Sequence, residues 1–103
     1  RQMCIRDRWK TGVGRGGELG GVQWGTASDN ANVYVAVSDI LFQDPELKPG
    51  VRMKPDPKVG GGLFALQVAT GEKIWHTPAP PCHDRPGCSP AQSAAVTAIP
   101  GLV

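Results

Sequence analysis

Gly62-Leu63-Phe64-Ala65-Leu66-Gln67, a turn over Ala69-Thr70-Gly71-Glu72, then Lys73-Ile74-Trp75-His76-Thr77 is the stretch on which the fold turns. Two apolar, β-favouring runs flank a turn built around Thr-Gly, so the stretch reads as two strands folded back as a hairpin. Upstream, Val33-Tyr34-Val35-Ala36-Val37-Ser38 is the best strand of the chain, and Asp29-Asn30-Ala31-Asn32 before it is turn chemistry. Alternation places Val33, Val35 and Val37 on one face and Tyr34, Ala36 and Ser38 on the other. Both faces read as mostly buried, as inside packed sheets. Downstream, Ser93-Ala94-Ala95-Val96-Thr97-Ala98-Ile99 is expected as a fourth strand, closed by a Pro100-Gly101 turn.

Between the strands lie loops. Residues 12–25 are dense in glycine, which excludes a helix there. No GxGxxG opening a helical pattern and no GKS/GKT is present, so a phosphate-cradling loop is poorly supported. Residues 40–61 carry Pro45, Pro49, Pro55 and Pro57, and residues 78–90 form a second proline-rich loop. Proline blocks both helix interiors and central strands. The chain has 103 residues with 14 Gly and 10 Pro, roughly twice average usage, which excludes a coiled coil or helical bundle. No apolar run reaches the ~18 residues of a membrane span, and the N-terminus has no signal-peptide core. With 40% hydrophobic residues the composition is not that of a disordered chain. The reading is all-β. Four strands cannot close their own edges, so a fragment of one to two sheet units from a larger repeat fold is expected.

The first eight residues stand apart. Arg1-Gln2-Met3-Cys4-Ile5-Arg6-Asp7-Arg8 resembles translated read-through of sequencing-adapter DNA, of the kind that contaminates assembled environmental sequences. Residues 1–8 are therefore set aside as a non-native tail, and residues 9–103 carry the fold. The chain's net charge of +2 belongs to that tail. Without it acids and bases balance, no basic cluster tracks phosphates, and nucleic acid is not an expected partner. Removing Cys4 also leaves an even pair, Cys82 and Cys88, in a turn-rich loop. That pair suits a small disulfide loop in an oxidising compartment, and Cys-x5-Cys is poor zinc spacing even with His83 adjacent.

Ala65-Leu66-Gln67-Val68-Ala69-Thr70-Gly71-Glu72-Lys73-Ile74-Trp75 resembles the tryptophan-docking motif of quinoprotein β-propellers, Ala-x-Asp-x-x-Thr-Gly-x-x-x-Trp. The resemblance implies a blade whose outer strands meet at Thr70-Gly71 and whose Trp75 packs between neighbouring blades. Gln67 stands where Asp or Asn is usual, so the side-chain cap of the turn is altered. Gly20-Gly21-Val22-Gln23-Trp24-Gly25, then Asp29, then Val33–Asp39 looks like the cofactor-facing blade of alcohol dehydrogenases that use pyrroloquinoline quinone (PQQ). With the two-cysteine loop and Ala91–Gly101, the pattern over residues 17–103 most resembles the polyvinyl-alcohol dehydrogenase branch.

That resemblance implies residue roles. Trp24 is the floor on which the planar quinone stacks, with Gln23 and Gly25 beside it. Asp39 stands at a Ca²⁺-ligand position, where its carboxylate offers hard oxygen. The alternatives are a core Trp24 and an Asp39 that only caps a strand end. The family's catalytic Asp falls by position near Gln92 or Ser93, neither of which is a base. Asp84 is the only carboxylate after Trp75 and is the candidate in its place. The implied activity is oxidation of an alcohol by hydride transfer to Ca²⁺-bound PQQ in the periplasm, with a cytochrome c as electron acceptor. The competing class is a non-catalytic propeller of the same repeat, a scaffold as in outer-membrane protein assembly.

Overall fold

A computed structural model describes residues 9–43 and 54–103. The eight-residue tail, Pro45 and Pro49 lie outside the described residues. Four strands form one antiparallel sheet in the order β1-β2-β3-β4: β1 (Ala27–Ser28), β2 (Asn32–Val37), β3 (Gly62–Gln67) and β4 (Lys73–Thr77). Each strand pairs with its neighbour in sequence, so the sheet is a simple meander. Among the described residues no helix is long and apolar enough to cross a membrane.

The register sorts the side chains. Val33 faces Leu66, Val35 faces Phe64 and Val37 faces Gly62 across β2 and β3. Directly opposed residues share a face, so the valine row and Phe64/Leu66 form one apolar layer. Val35, Val37, Phe64 and Leu66 are the buried cluster, with Trp9, Val13 and Val33 packed against it. Burying each such side chain contributes about 1.5–3 kcal/mol. The other face carries the row Ala27, Tyr34, Ala65 and Trp75, one residue from each strand. Ala65 is fully buried there, and the Tyr34 and Trp75 rings lie 6.0 Å apart, tilted by 34°. A small residue between two rings lets both lie over it.

The β3–β4 hairpin forms as its sequence predicts, and Gln67 serves the turn despite replacing the usual acid. Its backbone N–H donates to Glu72 O (2.8 Å) and its carbonyl accepts from Gly71 N (2.7 Å). Its Oε1 accepts the Thr70 hydroxyl at 2.9 Å. The turn before β2 is also side-chain built. Asp29 Oδ1 accepts the amides of Ala31 (2.8 Å) and Asn32 (2.7 Å), and Oδ2 accepts the Tyr34 hydroxyl at 2.6 Å. The Tyr34 hydroxyl, then the two amides, hold the Asp29 carboxyl below its ordinary value of 3.8. A lowered carboxyl stabilises the fold above its unfolded pKa and loses that contribution as pH falls through the folded one. Acid unfolding in Asp29→Asn is therefore expected to depend less on pH below about 4 than in the parent protein, as read from denaturation midpoints across that range.

The expected fourth strand at 93–99 does not form. That segment makes only an isolated bridge, Ile99 to Leu102, around the Pro100-Gly101 turn. The Val96 N–H donates to Gly25 O at 3.1 Å. β propensity without a partner strand does not make a ladder. The fourth position of the sheet goes instead to β1, a two-residue strand with no apolar run to mark it.

Candidate functional site

The residues singled out as a cofactor floor lie on a loop held at both ends. Ser38 N–H donates to Gly21 O at 2.7 Å, and Val96 N–H donates to Gly25 O at 3.1 Å. The Ser38 and Ser93 hydroxyls meet at 3.1 Å, which ties the end of β2 to the same downstream segment. Trp24 sits between the two anchors with 57% of its surface exposed. Nothing lies within 4 Å of the Cβ position of Gly25, which leaves space beside the indole. Gln23 is half-buried, and its Nε2 is buried with no hydrogen-bond partner. An unpaired buried donor costs about 1–3 kcal/mol.

Asp39 is placed differently from a simple strand cap. It is 4% exposed and adopts φ 48°. Its Oδ2 accepts the Arg15 amide at 2.7 Å and its Oδ1 accepts the Gly16 amide at 2.9 Å. It also lines a cavity of about 410 Å³ with Arg15, Lys58, Phe64 and His76. Neither Trp24 nor Asp84 is in that wall. Among the described residues no group of three or more His, Cys, Asp and Glu side chains could hold a metal ion.

Asp84 is exposed on the loop closed by Cys82 and Cys88. The two cysteines are bonded, with Cα atoms 5.7 Å apart. Cys82 is buried, and Arg85 closes the loop by donating from Nε to Cys82 O at 3.1 Å. His83 beside Asp84 has φ 54°. The structure thus brings Gln23, Trp24 and Gly25 together and gives Asp39 a site of its own. It leaves Asp84 on a separate loop.

Two residues that sequence reasoning passed over are Trp9 and Thr11. The Trp9 indole N–H donates to Val68 O at 2.6 Å, and the Thr11 hydroxyl donates to Gly71 O at 2.6 Å. A Cβ on Gly71, whose φ is 77°, would overlap the Trp9 ring. Trp9 therefore rests against the turn at Gly71. The signal was present in sequence: Trp9-Lys10-Thr11 and Trp75-His76-Thr77 are the same Trp-x-Thr pattern. His76, next to Trp75 in β4, is exposed and hydrogen-bonded. It stacks on Phe64 at 4.1 Å and donates from Nε2 to Gly61 O at 2.7 Å.

A four-stranded antiparallel meander with tryptophans set on its outer hairpin is the architecture of a β-propeller blade. Comparison with known proteins narrows the class. Over 98 residues the chain is 43% identical to a polyvinylalcohol dehydrogenase of a Pseudomonas species, covering 92% of this chain and 13% of that protein. Over 99 residues it is 36% identical to the polyvinylalcohol dehydrogenase of Sphingopyxis sp. (strain 113P3), covering 92% of this chain and 14% of that protein. The chain thus spans about one-seventh of the length of these curated relatives. No protein-family profile and no solved structure matches it.

Proposed function

We propose that this chain is the cofactor-facing segment of a PQQ-dependent alcohol dehydrogenase that oxidises polyvinyl alcohol or a related polyol. The observation that carries the reading is the 43% identity to a polyvinylalcohol dehydrogenase across nearly the whole chain. Trp24 supports it physically. An exposed indole held between two backbone anchors, with open space at Gly25, fits a flat ring. PQQ supplies the hydride-accepting chemistry when bound. Trp24 supplies the stacking face and holds the ring's plane, with Gln23 and Gly25 beside it in the loop. Asp84 is the proposed acceptor of the alcohol proton, being the carboxylate that follows the Trp75 hairpin.

The resemblance pairs the quinone with Ca²⁺, which takes 6–8 oxygen ligands. Asp39 alone does not make that ligand set: its two oxygens accept the Arg15 and Gly16 amides, and among the described residues no group of three or more His, Cys, Asp and Glu side chains could hold a metal ion. No step is derived through the ion. The disulfide favours an oxidising compartment, and we place the protein in the periplasm with a cytochrome c as electron acceptor.

A scaffold reading draws on one observation. Ser93, at the expected position of the base, is engaged structurally with Ser38. Titration of PQQ into the full-length protein with Ca²⁺, followed by dye-linked oxidation of polyvinyl alcohol, separates the two. The dehydrogenase binds at micromolar quinone and reduces the dye, while the scaffold does neither.

A further inference from the structure

We infer that Asp39 is a positioning residue: its carboxylate latches the glycine loop to the end of β2 and so holds Trp24 in place, rather than ligating a cation. The loop meets the segment after β2 at several points. Besides the two amides on the carboxylate, Ser38 N–H donates to Gly21 O (2.7 Å) and Glu18 N–H donates to Ile40 O (2.9 Å). The Glu18 carboxylate also accepts the Phe42 amide at 2.8 Å. The successive amides of Arg15 and Gly16 form a small anion-binding concavity, with Gly14 at φ 72° and Gly16 at φ 83°. In this chain the anion is the protein's own Asp39. The fit is close. A Cβ at Gly14 would overlap the carboxylate, and one at Gly21 would stand 3.3 Å from Oδ1. Asp also suits the left-handed backbone at position 39 better than most residues. Gly21 is pinned by Ser38, and Trp24 follows three positions on. Fixing the loop therefore fixes where the indole starts from.

The inference rests on the dehydrogenase reading for the role of Trp24, but its first test does not. Hydrogen exchange at the Arg15 and Gly16 amides is followed in the full-length protein with EGTA and with millimolar Ca²⁺. The latch predicts the same protection in both, whereas protection that appears only with Ca²⁺ overturns it. In Asp39→Ala those two amides are expected to exchange about 10-fold faster or more, and Asp39→Asn, which keeps one carbonyl acceptor, recovers part of the protection. Calcium affinity, titrated with the metal alone, stays within about twofold of the parent in both variants, since no ligand is lost. Quinone affinity falls in Asp39→Ala and is partly rescued in Asp39→Asn. Loss of a calcium site, or unchanged exchange at both amides, refutes the latch. If Asp39→Ala does not fold, the wild-type exchange and Asp39→Asn still decide. A parent protein that binds no quinone ends the dehydrogenase reading and leaves the exchange result standing.

Discussion

Gly71→Ala is expected to destabilise the protein by about 3 kcal/mol, with most of the loss passing through Trp9. The backbone at Gly71 is left-handed at φ 77°, where a Cβ costs about 1–2 kcal/mol. The new methyl would also occupy the space of the Trp9 indole, and overpacking of this kind costs about 1–3 kcal/mol. Trp9→Ala alone loses the ring's packing on the valine layer and its hydrogen bond to Val68 O. A fully buried Trp→Ala costs about 3–5 kcal/mol, and the half-buried Trp9 is expected to cost about 2–3. The two effects share one contact, so they should not add. In the double variant the total is expected to fall short of the sum by at least about 1 kcal/mol. Urea denaturation of the four proteins, with m-values compared, measures the coupling. Strict additivity would mean that the ring does not rest on the turn.

The second large effect is on binding. Trp24→Ala is expected to weaken PQQ binding by roughly 30- to 150-fold, about 2–3 kcal/mol, while changing stability by less than about 0.5 kcal/mol. The binding term follows from removing one aromatic face, on the order of 100 Å² of contact at ~25 cal/mol per Å². Stability is spared because the indole is already largely in solvent and the anchors on either side are backbone bonds. Trp24→Phe should recover part of the affinity, since a smaller ring still stacks. Fluorescence titration with the quinone in the full-length protein gives both numbers. Equal affinity in Trp24→Ala would rule out the stacking role, whatever the reaction proves to be.

Much of the architecture was legible in the residues. Val33–Ser38 alternates valine with Tyr34, Ala36 and Ser38, and the strand forms with the valines on one face. Thr70-Gly71 marks a turn because glycine accepts the left-handed backbone there, and the hairpin closes on it. Cys82 and Cys88 stand close enough in sequence to bond, and they do. The segment 93–99 misled because its β propensity is real, but propensity describes how a side chain fits a pleated surface, not whether a partner strand exists. β1 was invisible for the converse reason. Ala27–Ser28 has no pattern of its own and is a strand only because β2 offers it an edge.

The site divides along the same line. That Trp24 lies in a glycine-rich loop and that Asp39 ends a strand follow from chain order alone, because glycine density and strand alternation are local properties. Where their functional atoms point does not follow. The Asp39 carboxylate reaches back across more than twenty residues to the amides of Arg15 and Gly16, and Trp9 crosses nearly sixty to bond Val68 O and rest on the turn at Gly71. Such contacts depend on which loops the sheet brings together, and a carboxylate reads the same in sequence whether it meets a metal or an amide. The sequence by itself determined β2, the β3–β4 hairpin and the cysteine pair. Only the tertiary structure decided that the valine layer has a tryptophan lid, that Trp24 stays open, and that the strand-end carboxylate is already occupied by the chain's own backbone.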